Sequence, residues 1–250
     1  METKSKAVET EDQVAKINVT EAEDQSENLP AELTAKFDLK SNMEGVTPRL
    51  PQISIVHQAQ LFTFPDETQK KEFEGIILDT NRINAWWEQS YDETGGGTPP
   101  DCFSMNGIEP DLNCNLPQAK KCAECEKNKF GSDGRGKACK NMKRVHIMLD
   151  NEMLPHRLTL PPSNLKAIDM YISLLTSKGL PYQLIVTDFK LKKTQNKDGI
   201  AFSEINPEKI FTVTDSVKAE FLAKMLRDFK PVMRGQEIVM EEYNSDTEEM

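Results

Sequence analysis

The five cysteines constrain this chain more than any other feature, because all of them fall between residues 102 and 139. This segment has few bulky aliphatic residues and little periodicity, so it cannot build an apolar core of its own. A secreted disulfide framework would spread an even number of cysteines along a short chain. The odd, crowded set therefore favours a metal site in a reducing compartment over disulfides.

The spacing of the cysteines predicts which of them bind the metal. Cys122 and Cys125 form a Cys-x2-Cys half-site, which can place two thiolates on one ion, and Cys139 follows 14 residues later. The fourth ligand is Cys102 or Cys114, and two prolines just before Cys102 favour it by stiffening its approach. Four thiolates make a closed tetrahedral site, so we expect structural rather than catalytic Zn²⁺. Free or redox-active cysteines are the alternative, although a thioredoxin-like pair would need a βαβ context.

The net charge of −10 is distributed unevenly along the chain. Residues 1–32 hold nine acidic residues against three lysines, and residues 241–250 hold five acidic residues and no basic one. Residues 118–144, in contrast, hold nine Lys or Arg residues against three acidic ones, a net charge of +6. The cysteine segment is thus the basic centre of an acidic chain, and it can gather phosphates through counterion release.

Basic and aromatic side chains are interleaved around the cysteines, a pattern typical of proteins that bind single strands. The charges would follow the phosphate backbone and the rings would stack on bases. The basic candidates are Lys120, Lys121, Lys127, Lys129, Arg135, Lys137, Lys140, Lys143 and Arg144. The aromatic candidates are Phe130, Trp86 and Trp87. A solvated charged loop with two core tryptophans is the simpler alternative.

Composition divides the chain into three parts. Residues 1–34 are acidic and poor in aromatic residues, which predicts a disordered tail. Residues 35–236 are predicted to form one domain that carries a zinc insert at 100–143, and residues 237–250 form an acidic tail. A plain solubilising role fits the C-terminal tail as well as competition with nucleic acid does.

Strands and helices are mixed in the predicted domain, without an obvious βαβ repeat. Strands are expected at residues 53–57, 61–64, 75–79, 144–149, 157–160, 182–192 and 200–205. The apolar segment 83–87 fits either element. One helix is predicted to start with Ser163 as N-cap and to end before Gly179, and a second to start at Asp215 and stop at Pro231. This pattern predicts an α+β fold, a curled sheet or oligonucleotide-binding (OB)-like β-barrel with attached helices.

The sequence contains little that would support catalysis. The loop 131–138 matches half of a nucleotide-binding P-loop, but Ala138 replaces the hydroxyl that would hold Mg²⁺, and no apolar strand precedes the loop. The three histidines, His57, His146 and His156, lie in no catalytic motif. No segment is apolar enough to span a membrane, and residues 1–20 lack the apolar region of a secretion signal. We therefore predict a non-enzymatic cytoplasmic protein.

Several stretches resemble a pattern in poorly characterised phage and prophage proteins. They are Pro100-Asp101-Cys102-x-Ser104-x-Asn106-Gly107, Cys122-x2-Cys125-x2-Asn128-x2-Gly131-Ser132, Gly136-Lys137-Ala138-Cys139-Lys140-Asn141, Leu160-Pro161-Pro162-Ser163 and Gly179-Leu180-Pro181-Tyr182. The resemblance covers roughly residues 48–205. It implies Cys102, Cys122, Cys125 and Cys139 as the ligand set, with Cys114 extra, and a mobile-element setting in a bacterial host cell.

The layout is also similar to that of phage single-stranded-DNA-binding proteins, which combine an oligonucleotide-binding barrel, a zinc insert and an acidic tail. We therefore predict a non-enzymatic protein that binds single-stranded nucleic acid, most simply DNA in replication or recombination. Its acidic C-terminal tail could recruit replication or recombination proteins. The alternative is a zinc-stabilised adaptor or inhibitor that binds a host protein through its acidic termini.

Overall fold

The computed structural model describes residues 45–46, 49–89, 93, 98–150, 152–195 and 201–238. The chain divides into two compact units, Met1–Thr47 and Pro48–Met250. Of the first unit only Gly45 and Val46 are described, so the predicted tail at 1–34 lies outside the described residues, as do residues 239–250. Glu237 and Ile238, assigned to the C-terminal tail by composition, are described, and Ile238 is buried.

The described part of the second unit is a mixed α+β structure with a strongly curled, half-barrel sheet and two helices. Its strands are β1 (Gln52–Val56), β2 (Leu61–Thr63), β3 (Gln69–Lys70), β4 (Glu72–Trp86), β5 (Cys102–Ser104), β6 (Lys140–Met148), β7 (His156–Leu160), β8 (Ile185–Gln195) and β9 (Ala201–Thr212). The helices are α1 (Leu165–Ser177) and α2 (Ser216–Gly235). The predicted fold class is confirmed at this level.

The long strand β4 organises the sheet, whose strand order is β3-β2-β1-β7-β6-β4-β8-β9. β4 pairs antiparallel with β8 near its start, with β6 along most of its length and with β5 at its end. All pairings are antiparallel except that of β1 with β7. The predicted segments 75–79 and 83–87 therefore belong to one continuous strand.

Two local features let β4 curl. The register between β4 and β6 shifts between Ile77 and Asp79, and such a bulge bends and twists the strand that carries it. At Gly75 the strands approach so closely that a Cβ atom would overlap the Ile147 side chain. Glycine is therefore required for steric reasons at this position.

Both faces of the sheet are buried, because neighbouring residues of one strand enter different apolar clusters. Ile77 and Ile147 belong to the cluster that α1 closes with Ile168, Tyr171 and Leu175. The residues next to them, Ile76 and Met148, belong to the cluster that α2 closes with Leu222, Met225 and Met233. Within the α1 cluster, Phe73 stacks on Phe189 with ring centroids 4.9 Å apart.

Side chains, rather than a strand ladder, hold β9 near β1 and β7. Asn164, which lies between β7 and α1, accepts a hydrogen bond from the Ile205 amide and donates one to the Ser203 carbonyl oxygen at 3.2 Å. The Ser203 hydroxyl donates to the His57 carbonyl oxygen at 2.7 Å. These bonds hold β9, one edge of the curled sheet, close to β1 and β7.

The helix boundaries test the capping predictions. Asp215 caps α2 as predicted, accepting from the Lys218 amide at 2.9 Å, and Gly179 follows α1 with a φ of 68°. The prediction that Ser163 is the N-cap of α1 was wrong. Ser163 lies in a 3₁₀ turn, Pro162–Asn164, and Asn164 is the N-cap.

The prediction that α2 ends at Pro231 was wrong, because the helix continues to Gly235. The last turn is held by tertiary contacts, because Met233 is fully buried and Arg234 pairs with Asp79. A proline can remain in a helix when such packing offsets its lost hydrogen bond. Among the described residues, no helix is long and apolar enough to cross a membrane.

Candidate metal centre and nucleic-acid interface

The cysteine insert, residues 105–139, connects β5 to β6 and is anchored on the end of β4. Trp86 of β4 pairs with Cys102 in β5, and the neighbouring Ala85 pairs with Lys140 at the start of β6. Cys102 and Cys139 therefore flank the end of β4 from opposite sides, because β5 and β6 pair with opposite edges of that strand, although 37 positions separate the two cysteines in the sequence. The sheet thus positions the first and last of the predicted ligands.

Tight turns position the other two cysteines. Cys122 opens a 3₁₀ turn, Cys122–Glu124, and its carbonyl oxygen accepts from the Asn128 side chain at 2.7 Å. The Cys139 amide donates to the Lys127 carbonyl oxygen at 2.8 Å. These bonds tie the Cys-x2-Cys turn to Cys139, which directly precedes β6.

The four predicted ligands line one small cavity of about 20 Å³, the size of a single atom or water. They are Cys102, Cys122, Cys125 and Cys139, joined by Trp86 and Asn84 from β4. Cys114 does not line this cavity: its sulfur accepts from the Phe103 amide and donates to the Phe103 carbonyl oxygen, each at 3.1 Å, and it neighbours the Cys102 thiol. Of the two candidates for the fourth ligand, the cavity includes Cys102.

The cavity does not present a formed coordination sphere. Among the described Cys, His, Asp and Glu side chains, no group of three or more is arranged so that it could hold a metal ion. In a zinc–thiolate site all four sulfurs lie about 2.3 Å from the ion. The donor set and the size of the cavity therefore fit Zn²⁺, whereas the arrangement of the sulfurs is looser than a zinc site requires.

The environment of these thiols disfavours negative charge. Burial, followed by the neighbouring Cys122 and Cys125 thiols, raises the pKa of Cys139 to about 12. Burial likewise raises the pKa of Cys102 to about 11. A cation bound among the sulfurs would reverse this preference, because a coordinated thiol loses its proton.

The exposed basic candidates lie on the outside of the insert. Lys120, Lys121, Lys129 and Arg135 are exposed, and the Phe130 ring is 82% exposed. The Lys137 ammonium lies 5.1 Å from the centre of the Phe130 ring. Two acidic residues of the insert pair with lysines of this surface, Glu126 with Lys129 and Glu124 with Lys121. The insert therefore presents a basic surface with one projecting aromatic ring.

A second group of candidates is partly buried and forms the base of the insert. Lys127 lies over the Trp86 ring at 4.7 Å, and Lys137 donates to the Asn141 side chain at 2.9 Å. Lys140 pairs with Asp133 at 3.1 Å, and the Trp87 ring nitrogen donates to the Thr98 carbonyl oxygen at 3.0 Å. These contacts hold the insert on the sheet.

Three candidates lie inside the protein, which corrects their predicted placement on a binding surface. Trp86 is 7% exposed and lines the cysteine cavity. Lys143 pairs with Asp169 of α1, and Arg144, which is fully buried, donates to the carbonyl oxygens of Gln236 and Glu237. The reason is that β4 and β6 are central strands with both faces covered. An exposed interface does not include these three side chains.

The sequence did not indicate a polar cluster on the face covered by the end of α2. His146 of β6 lies opposite Asp79 of β4 and Arg157 of β7. It is fully buried, and neither ring nitrogen has a hydrogen-bond partner among the described residues. Burial lowers its pKa to about 4, against the opposing effect of Asp79. In the sequence, only the position of His146 between the apolar residues Val145 and Ile147 could have signalled this cluster.

Comparison of the chain with protein-family models, with curated proteins and with solved structures found no match. The resemblance to phage proteins therefore stays a prediction. The function has to be argued from the fold and the cysteine insert themselves.

Proposed function

We propose that this protein binds single-stranded nucleic acid, most simply DNA, without catalysing a reaction, and that Zn²⁺ folds its cysteine insert. The observation that carries the proposal is the order of the strands. β4, β6 and β7 form an antiparallel meander, α1 follows, and the β8–β9 hairpin returns to pair with β4. This is the order of elements in a five-stranded OB-fold barrel.

The place of the insert in that order supports the proposal further. OB folds bind oligonucleotides with their second and third strands and with the loops after the first and fourth strands. With β4 as the first strand, the first loop is the whole connection between β4 and β6, which includes β5 and the insert. On this plan the basic insert would occupy a position from which OB folds contact nucleic acid.

The exposed side chains of the insert suit a single strand better than a duplex. Lys120, Lys121, Lys129 and Arg135 can follow a phosphate backbone, and the exposed Phe130 ring offers a stacking surface for a base. Stacking on one aromatic side chain contributes about 1–3 kcal/mol per base and needs an unpaired base. A duplex keeps its bases stacked on each other and could use only the charges.

Zinc would act as the core of the insert. Residues 105–139 contribute three buried side chains, Cys122, Cys125 and Cys139, and the exposed apolar residues Ile108, Leu112 and Leu116 do not pack. The four cysteines would hold the ion, and the bound ion would supply a cross-link between the turn and the sheet. The basic side chains would then be presented from a rigid loop.

The last described residue before the acidic segment lies at the base of the insert. Ile238, the last described residue, packs in a cluster that includes Phe103 and Met105 at the base of the insert. Residues 241–250 carry five acidic residues. We propose that this segment competes with nucleic acid for the basic surface and recruits replication or recombination proteins.

The test is binding of a labelled oligo-dT of about 30 nucleotides, which is longer than the site of one OB fold, measured by fluorescence anisotropy at low salt. An RNA of the same length and a DNA duplex are measured in parallel, with and without a zinc chelator. We expect the single strand to bind more tightly than the duplex, and chelation to weaken binding. Equal affinity for duplex and single strand, or no binding at low salt, would refute the proposal.

Two variants of matched charge locate the site. One changes Lys120, Lys121, Lys129 and Arg135 to Ala. The control, called the helix variant, changes the same kinds of exposed residue on the two helices or directly after α1: Lys166, Lys178, Lys224 and Arg227. We expect the insert variant to lose at least about tenfold in affinity and the helix variant to stay within about threefold, because only the insert charges would contact phosphates. A larger loss of affinity in the helix variant than in the insert variant would show that the binding site lies outside the insert.

A further inference from the structure

Two of the five cysteines differ from the others in exposure and in their contacts. Cys102 and Cys114 are half-buried, whereas the other three cysteines are buried. The Cys102 and Cys114 thiols hydrogen-bond to each other. Cys102 also lines the cavity of the predicted zinc ligands, and Cys114 does not. Cys102 therefore lies between two alternative partners, a metal ion in the cavity and the Cys114 thiol.

The backbone around this pair holds the two thiols in place. The Asp111 amide donates to the Phe103 carbonyl oxygen at 2.8 Å. The Leu116 amide donates to the Asp101 carbonyl oxygen at the same distance. The Cys114 sulfur lies 3.1 Å from both the amide nitrogen and the carbonyl oxygen of Phe103. The segment with Cys114 is thus already fixed beside β5, so joining the two sulfurs would cost little further ordering of the chain.

The other close pair of cysteines is less accessible. Cys122 and Cys125 are three positions apart in the sequence, but each is only 7% exposed. Thiol–disulfide exchange requires direct contact between a protein sulfur and a sulfur of the oxidant, so its rate depends on access. The half-buried Cys102 and Cys114 are therefore the pair that a dissolved disulfide reaches first.

We propose that Cys102 and Cys114 form an oxidation site, at which a disulfide between them removes Cys102 from the zinc ligands and releases the ion. The inference rests on the proposed function, to which the zinc site belongs. The oxidant is a low-molecular-weight disulfide such as oxidised glutathione. One S–S bond forms in the chain, the S–S bond of the oxidant breaks, and the two thiol protons pass to two glutathione thiols. The chain loses two electrons, and the oxidant gains them.

The expected consequence is a loss of nucleic-acid binding. Three remaining cysteines cannot complete a closed tetrahedral site, so the ion would be held far more weakly. The insert buries little besides its cysteines, and without the ion its basic surface would no longer be presented from a rigid loop. In a reducing compartment a disulfide is usually transient, and sensing of oxidation is one of its known uses.

Disulfide mapping of the natural, zinc-loaded chain tests the pair directly. The chain is equilibrated in mixtures of reduced and oxidised glutathione, free thiols are blocked by alkylation, and the disulfides are identified by mass spectrometry of peptides. Because burial raises the pKa of Cys102 to about 11, exchange is slow, and the mixtures are left until the thiol content is constant. We expect a disulfide between Cys102 and Cys114 as the main product. A main product between Cys122 and Cys125, or no disulfide in oxidised glutathione alone, would overturn the inference.

Zinc content and affinity are measured on the same samples, with Cys114→Ser as the matched variant. In the oxidising buffer the natural chain should fall below about one tenth of its zinc and lose at least about fivefold in oligo-dT affinity. Dithiothreitol with added Zn²⁺ should restore both. Cys114→Ser should keep its zinc and stay within about twofold of its affinity in reducing buffer, because a serine hydroxyl forms no disulfide. Equal losses in the two chains would contradict the role of Cys114.

The outcomes separate the two proposals. If the reduced, zinc-loaded chain does not bind oligo-dT at low salt, the proposed function fails, and disulfide mapping still decides whether the pair exists. If the reduced chain binds zinc and oligo-dT, but no disulfide joins Cys102 to Cys114, the oxidation site is refuted and the proposed function stands. If Cys114→Ser does not fold, as judged by its circular dichroism spectrum, the mapping and the zinc content of the natural chain decide.

Discussion

The half-barrel and the cysteine insert reach their structures by different means. In the half-barrel, neighbouring residues of one strand, such as Ile76 and Ile77, enter two separate apolar clusters, and each cluster is closed by a helix. In the insert, the buried side chains are cysteines, and the exposed Phe130, Leu112 and Ile108 contribute nothing to a core. One region is held by buried apolar area, whereas the other is held by turns and places four cysteines around one cavity.

This contrast suggests that the half-barrel and the insert have different roles, one as a scaffold and the other as an exposed surface. A core of apolar residues supports a rigid sheet, but it leaves little room for exposed charge on the central strands, which is why Lys143 and Arg144 are buried. If zinc and thiolates hold the insert, as we propose, the insert needs no apolar core, and its surface is available for basic residues. If this is so, substitutions in one region should leave the other region unchanged.

The largest effect is expected from loss of a zinc ligand. Cys139→Ser should reduce bound zinc from about one ion per chain to nearly none, because it removes one of four thiolates of a closed site. Cys114→Ser, the control, should retain the ion, because the Cys114 sulfur is bonded to the Phe103 backbone. Zinc is measured by elemental analysis of the purified protein. Equal zinc content in the two variants would contradict this assignment of ligands.

A truncation in the core should destabilise the half-barrel and leave the metal in place. Phe189 is fully buried and stacks on Phe73. We expect Phe189→Ala to lower the free energy of unfolding by about 3–5 kcal/mol, measured by urea denaturation. The same change at exposed Phe130 should stay within about 0.5 kcal/mol. Comparable losses in the two variants would show that the insert is packed as a core.

The buried histidine should make the stability of the half-barrel depend on pH. Burial lowers the pKa of His146 to about 4, so below the unfolded value the unfolded chain binds a proton that the folded chain does not. Stability is therefore highest above that value and falls as the pH decreases toward 4. Between about pH 7 and pH 5 we expect a loss of about 2 kcal/mol, which His146→Gln should remove. An identical pH profile in the variant would refute the role of His146.

The smallest effect concerns base stacking on the insert. Phe130→Ala should weaken oligo-dT binding by about 1–2 kcal/mol, because it removes one stacking ring and no charge. Phe130→Trp should retain the affinity, since the larger ring can stack as well. Anisotropy titrations measure both. If the Phe130→Ala and Phe130→Trp variants bind oligo-dT with equal affinity, Phe130 does not stack on a base and is a solvated residue of the loop.

Much of the fold could be predicted because local patterns carry it. The alternation of apolar and polar residues in 144–149 correctly predicted β6. Asp215 was correctly predicted to cap α2, and Gly179 to follow α1. The helix boundaries predicted at Ser163 and Pro231 were wrong because tertiary contacts determine both. Asn164, the N-cap of α1, also holds β9 by hydrogen bonds. Buried Met233 and the Arg234–Asp79 ion pair hold the last turn of α2. Local propensity does not contain such contacts.

The cysteine cavity was predictable from spacing, since Cys122, Cys125 and Cys139 are close in sequence. The choice of Cys102 over Cys114 depends on the pairing of β5 with the end of β4, which only the fold supplies. Composition also could not separate exposed lysines from buried ones: Lys129 and Lys143 look alike in the sequence, yet one is on the loop and the other is in a central strand.

The most direct test of the central claim, that the insert contacts phosphates, is the salt dependence of oligo-dT affinity. For single strands, each cation that contacts a phosphate adds about 0.7 to the slope of log K against log salt concentration. The account predicts that the variant with Lys120, Lys121, Lys129 and Arg135 changed to Ala has a slope smaller by about 2–3, and that the matched helix variant keeps the slope of the natural chain. An unchanged slope in the insert variant would contradict the account.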